Sequence, residues 1–166
     1  MKTTAFFTRI LSWLTGSRLT VDNSVVRELD LDRFLGSWYE VARFDHFFER
    51  GMSQTKANYV LRDDGNIDVI NTGVKDGRPK TAKGKAKLTD IPSLLRVSFF
   101  GPFYSDYRVM LVAADYRYML IGSGSDGYLW ILSRTPQLAD SDRTAILSEA
   151  KSRGYDIDKL IWVKQD

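Results

Sequence analysis

His46 is the one histidine in this chain of 166 residues, and cysteine is absent. A histidine-based triad, or a zinc site built from histidine and cysteine, needs partners that this inventory does not hold. The residues with a telling spacing do another kind of chemistry. Lys83, Lys85 and Lys87 alternate with Ala82, Gly84, Ala86 and Leu88. Three lysines cannot face an apolar interior unpaired, so the small residues face inward. Where a filled interior would want leucine or phenylalanine, alanine and glycine leave space. The expected chemistry is therefore recognition of an apolar ligand.

The same parity reading extends to other segments. Ala57 and Tyr59 oppose Lys56 and Arg62. Ile67, Val69 and Asn71 oppose Asp68. Leu95, Val97 and Phe99 oppose Arg96 and Ser98. Tyr107 and Val109 oppose Arg108, and Tyr128, Trp130 and Leu132 share the parity of Arg134. The candidate lining is thus Ala57, Tyr59, Val69, Asn71, Ala82, Ala86, Leu95, Val97, Phe99, Tyr107, Val109, Tyr128 and Trp130. It is apolar with a few hydroxyls and one amide, a pattern that suits an alkyl chain with one polar end. At roughly 0.8 kcal/mol per buried methylene, about ten methylenes reach micromolar binding or better after association costs.

These residues sit on short alternating runs. The runs span 37–44, 55–62, 66–74, 81–89, 94–100, 107–113, 118–123 and 128–134, and Asp64-Gly65, Asp76-Gly77, Gly101-Pro102 and Asp126-Gly127 punctuate them. Aspartate–glycine pairs favour tight hairpins because glycine accepts positive φ. Short strands without intervening helices read as an up-and-down antiparallel barrel or a sandwich. A helix follows, capped by Asp140 or Ser141, with an apolar stripe at Ile146, Leu147 and Ala150 and an end at Gly154. Leu160–Val163 then supplies a short ninth strand. On this wiring 45–53 and 101–106 are loops at the open end. Their aromatics, Phe47, Phe48, Phe103 and Tyr104, mark ligand entry, membrane contact or a homodimer face. Arg50, Lys75, Arg78 and Lys80 can attract an anionic head group there.

The length suits one domain with a real core, and a net charge of +3 is far from a nucleic-acid footprint. Residues 25–166 form the domain and 1–24 precede it. In that leading stretch Phe6, Phe7, Ile10, Leu11, Trp13 and Leu14 share one helical face, which reads as an interfacial amphipathic helix or a secretory signal. No run there approaches bilayer-spanning length. Leu14-Thr15-Gly16-Ser17 resembles a bacterial lipoprotein processing box with serine in place of the lipidated cysteine.

Three signatures in order give the chain a family resemblance: Gly36-x-Trp38-Tyr39-Glu40, then Ala114-Asp115-Tyr116, then Leu132-Ser133-Arg134. Over roughly 29–165 the chain resembles a lipocalin, closest to the bacterial outer-membrane lipoprotein type. The resemblance implies an all-β fold: an eight-stranded antiparallel barrel with a C-terminal helix packed outside. It also implies a structural floor of Gly36, Trp38, Asp115, Tyr116 and Arg134 that does not touch ligand. The implied role is carriage or storage of a fatty acid, lysophospholipid or similar lipid, with no catalytic step and no metal or cofactor. The implied place is the outer membrane or periplasm, and the missing lipidation cysteine leaves the cytoplasm open. Two rivals stand beside it: a lipocalin-fold enzyme acting on a lipophilic substrate, and a non-binding interaction barrel.

Overall fold

The computed structural model describes residues 19–166. The amphipathic or signal-like segment and its Ser17 lie outside the described residues. The described residues hold nine strands: β1 Gly36–Phe44, β2 Ser53–Leu61, β3 Ile67–Lys75, β4 Arg78–Lys87, β5 Leu94–Phe100, β6 Phe103–Val112, β7 Tyr118–Gly122, β8 Leu129–Ser133 and β9 Leu160–Trp162. A short helix α1, Leu31–Phe34, precedes β1, and helix α2, Asp140–Ser152, follows β8. Strands β1 to β8 pair antiparallel in chain order, and β1 pairs with both β8 and β2. The ring is therefore closed, and the fold is the eight-stranded barrel with one helix outside and a ninth strand bonded to β1.

Most boundaries shift by a residue or two from the sequence expectation, and three changes bear on the rim and the helix start. Residues 103–106 belong to β6 rather than to a loop, so the β5–β6 connection is the tight turn Gly101-Pro102 with Phe100 facing Phe103. Strand β4 begins at Arg78, because the hairpin with β3 runs in full register out to Lys75 and Arg78. Helix α2 starts without a side-chain cap: Ala139 is its N-cap, while Asp140 and Asp142 lie in the first turn, where acidic groups favour the helix dipole.

Two apolar clusters follow from alternation. One fills the barrel and includes Phe34, Trp38, Tyr59, Ile67, Leu95, Val109, Met119, Ile121 and Leu132. The other lies between the outer wall and α2 and includes Phe44, Met110, Leu120, Leu129, Ile131, Ile146 and Ala150. The register shifts in β1 between Glu40 and Ala42, in β2 between Ser53 and Lys56, in β5 between Val97 and Phe100 and in β6 between Val109 and Leu111. The bulges in β1 and β6 each turn two successive residues outward, Val41-Ala42 and Met110-Leu111, and both pairs join the outer cluster. Arg117 anchors the helix start by donating to Asp142 at 2.8 and 2.7 Å. Residues 22–24 lie along the wall, where Asn23 donates to the Ser123 carbonyl and Arg153 donates to the carbonyls of Asp22 and Ser24.

The floor is built from the chain just ahead of β1. Helix α1 drives the fully buried Phe34 into the barrel, 4.7 Å from the Tyr59 ring. The Arg134 guanidinium lies 3.6 Å from the Trp38 ring centroid and donates to the carbonyls of Ser37 at 2.7 Å and Leu35 at 2.9 Å, and to that of Arg33. Trp38 donates its indole N–H to the Phe34 carbonyl at 2.8 Å. Gly36 has φ +94°, a backbone conformation that side chains with a Cβ rarely adopt, so this turn requires glycine. Tyr116, also left-handed at φ 59°, accepts the Asp30 N–H at 2.7 Å through its hydroxyl and carries Arg33 over its ring. Asp115 pairs with Arg117 at the surface.

Lysine at position 134 has no planar fork and cannot both stack on Trp38 and serve several carbonyls. Arg134→Lys is expected to cost about 2 kcal/mol, a fall of roughly 4–8 °C in melting temperature. A melting temperature equal to wild type would show that the floor does not depend on this clamp.

Candidate functional site

The interior holds two grades of burial. Phe34, Trp38, Ile67, Leu95, Val109, Met119 and Ile121 are fully buried against each other, and Ala57, Tyr59, Val69 and Ala86 pack with them. Other inward-facing residues remain half-buried: Asn71, Val97, Phe99, Tyr107 and Trp130. A side chain that points into a closed ring and is still reached by solvent borders space open to the outside. The sequence-derived candidates thus separate by exposure, even between direct cross-strand neighbours: Ala57, Ala86 and Leu95 are buried, while their partners Asn71, Val97 and Tyr107 are half-buried.

Two of the candidates sit at the rim. Ala82 has inward parity but is exposed, because β4 pairs with β5 only at Lys85, Ala86 and Lys87 and its outer half stands clear of the neighbouring strand. Tyr128 is half-buried and stacks on Trp130 at 5.7 Å, with the His46 ring 5.5 Å away on another side. Strand β7 places Met119 and Ile121 inside and Leu120 outside.

Polar atoms punctuate this wall. The hydroxyls of Tyr59 and Tyr107 share a hydrogen bond at 2.8 Å, and burial pushes both phenols above their usual value. The Asn71 side-chain oxygen is buried without a protein partner. An unpaired buried acceptor costs about 1–3 kcal/mol, and a donor on a ligand recovers it.

Below the rim lies a charged cluster that parity alone did not reveal. Glu40 accepts from Arg43 at 3.0 Å and from the Thr55 hydroxyl at 3.3 Å. Arg43, 2% exposed, also donates to the carbonyls of Glu49 at 2.8 Å and Met52 at 3.3 Å. Glu49 meets His46 Nε2 at 2.6 Å and accepts the Trp130 indole N–H at 3.2 Å. His46 is therefore buried in this cluster. The β1–β2 connection is fastened into the barrel by Glu49. Glu40 shares parity with Trp38 and was visible as inward in principle. Arg43 is inward only because the β1 bulge shifts the register, and nothing in the sequence marks that bulge.

Burial raises the Glu40 carboxyl well above the ordinary glutamate range, and the neighbouring Glu49 charge adds to this against the pull of Arg43. Burial pushes Glu49 up as well, but the hydrogen bond from His46, its charge, and the bonds from Glu40 and Trp130 outweigh it and hold Glu49 low. The pair therefore favours one proton, carried on Glu40. The arrangement fastens the β1–β2 connection to the barrel wall.

Residues 29–165 match the model of the lipocalin-like domain. The chain is 49% identical over 146 residues to the outer membrane lipoprotein Blc of Citrobacter freundii, covering 86% of this chain and 82% of that protein. It is 42% identical to the outer membrane lipoprotein Blc of Vibrio cholerae, covering 97% of this chain and 98% of that protein. Mouse apolipoprotein D is 33% identical, covering 85% of this chain and 79% of that protein. Among solved structures, lobster apocrustacyanin A1 has a TM-score of 0.67 at 18% identity, covering 96% of this chain and 85% of that one. Insecticyanin of the tobacco hornworm has a TM-score of 0.68 at 21% identity, covering 85% of this chain and 83% of that one. At such identities these structures speak for the fold alone.

The shared proton sets a pH dependence. A carboxyl raised on folding stabilises the protein below its unfolded pKa, and that stability is lost as pH rises through the folded value. Wild-type stability is thus expected to fall from about pH 5 toward alkaline pH. Glu40→Gln keeps an acceptor for Arg43 and Thr55, removes the buried charge and flattens this decline, so its melting temperature exceeds wild type near pH 8 but not near pH 4.5. Parallel stability curves for the two proteins would assign the decline to another group.

Proposed function

This chain belongs to the lipocalin-like family, and on that premise we propose that it carries or stores one small hydrophobic ligand inside its barrel. One observation carries the reading: inward side chains of β3, β5, β6 and β8 stay half-buried beside a fully buried core. Val97, Phe99 and the faces of Tyr107 and Trp130 suit an alkyl chain. The proposed ligand is a single-chain lipid, either a fatty acid or a lysophospholipid. Two features favour the lysophospholipid. Asn71 offers an acceptor that needs a donor, such as a glycerol hydroxyl. The cluster holds two carboxyls against one guanidinium already bonded to three acceptors, a poor place for a second free carboxylate. The names of the Blc relatives place them at the outer membrane, and we assign this chain to the bacterial cell envelope on that likeness. The enzyme reading has less support, since Glu40 and Glu49 are engaged with Arg43, Thr55, His46 and Trp130; turnover of a lipid by the purified protein would restore it.

Two variants test the reading. Trp130→Ala is expected to weaken binding of a fluorescent fatty-acid probe about tenfold, roughly 1.4 kcal/mol, with circular dichroism unchanged. Unchanged affinity would remove Trp130 from the site. Asn71→Leu is expected to weaken a lysophospholipid by a factor of roughly 5–10 while leaving a fatty acid of equal chain length unaffected. Equal losses for both lipids would deny Asn71 a head-group role.

A further inference from the structure

The rim presents a pattern that ligand enclosure does not need. Phe47, Phe100 and Phe103 are 77–78% exposed, and Phe48 is 50% exposed. They stand on two tips, the β1–β2 connection and the β5–β6 turn. In a closed ring of eight strands these two hairpins lie four strands apart, on opposite sides of the same opening. Between them on one side stands the β3–β4 hairpin, where Lys75, Arg78, Lys80 and Lys83 are exposed. Among the described residues none of these four forms a salt bridge, and Asp76 is the one acidic residue between Gly73 and Lys83. Phenylalanines at the level of the opening, flanked by unpaired cations, match the division between acyl region and anionic head groups at a bilayer surface.

We propose that this rim docks on a bilayer containing anionic lipid, with the phenylalanine tips inserted and the β3–β4 hairpin on the head groups, and takes up its lipid there. A flat surface meets both opposed tips at once, whereas a groove-binding protein partner would have to bridge the opening. The β4–β5 ladder stops at Lys85 and Ser98, while β3–β4 continues in register to Lys75 and Arg78, so the cationic β3–β4 hairpin extends past the β5–β6 turn at this end. The docking surface is independent of which lipid the barrel holds.

The test is co-sedimentation of the full chain with vesicles of phosphatidylcholine alone and with about one third phosphatidylglycerol. Wild type is expected to sediment with the anionic vesicles and to be released by salt, since surface charge attraction is screened. Phe100→Ser with Phe103→Ser, and separately Lys75→Glu with Arg78→Glu and Lys80→Glu, are each expected to lower the bound fraction at least about fivefold. The phenylalanine variant is expected to bind the fluorescent probe in solution as wild type does, because neither side chain lines the lumen. That control separates loss of docking from failure of the carrier reading. Sedimentation of the variants equal to wild type, or no sedimentation of wild type with either vesicle, would overturn the proposal. So would a wild-type dimer in solution that the phenylalanine variant dissociates, which would give the patch to a second copy of the chain.

Discussion

The flat contact of Arg134 on Trp38 holds the molecule to its shape. A closed ring has no free edge, but it has two ends, and a ligand site needs one of them sealed. Arg134 seals it by stacking on the indole while its N–H groups collect carbonyls from the turn that leads into β1. Those carbonyls belong to the end of α1 and the residues just after it, so the same contact fixes the position of Phe34 inside the barrel. The buried core of the barrel packs on that plug.

The charged cluster at the other end solves a different problem. Alternation sends Glu40 of β1 inward, and the β1 bulge turns Arg43 inward as well. A lone buried charge would be prohibitive, and a buried pair is tolerable only with its hydrogen bonds satisfied. The structure meets this by bringing in Glu49 and His46 from the β1–β2 connection. The cost of burying charge thereby becomes the force that holds a loop across part of the opening. The sealed end is held by a cation on an aromatic ring and backbone carbonyls. The open end is held by buried ions and their hydrogen bonds.

Much of this was legible from residue types. The alternating lysines of β4 fixed which side of that strand faces in, and the same parity placed Tyr59, Val69, Leu95, Val109 and Trp130 correctly with respect to the core. Parity failed where the period of two is broken. The β1 bulge hid the inward turn of Arg43, and the β6 bulge sent Met110 and Leu111 together beneath α2. Parity also says nothing about depth of burial or about where a ladder ends. It therefore grouped Ala82 with Ala86, although one is exposed at the rim and the other is buried. The β5–β6 turn was read too long because Gly101-Pro102 looks like the start of a loop, when the following aromatics in fact resume pairing.

The seam between β1 and β2 has a temporal meaning. These strands pair at Gly36–Tyr39 but separate above, where β9 takes over the pairing with β1. There the Gln165 amide bridges the two sides by donating to the carbonyls of Glu40 at 2.7 Å and Thr55 at 3.1 Å. Gln165 leaves the ribosome after every barrel strand and is 125 residues from Glu40. A chain still being synthesised can form hairpins in order and begin the lower ring, but it cannot finish the wall beside its ionic cluster. Completion of that side awaits one of the longest-range contacts in the molecule, a kind of contact that slows folding. Until then the unfinished edge is available to whatever holds the nascent chain.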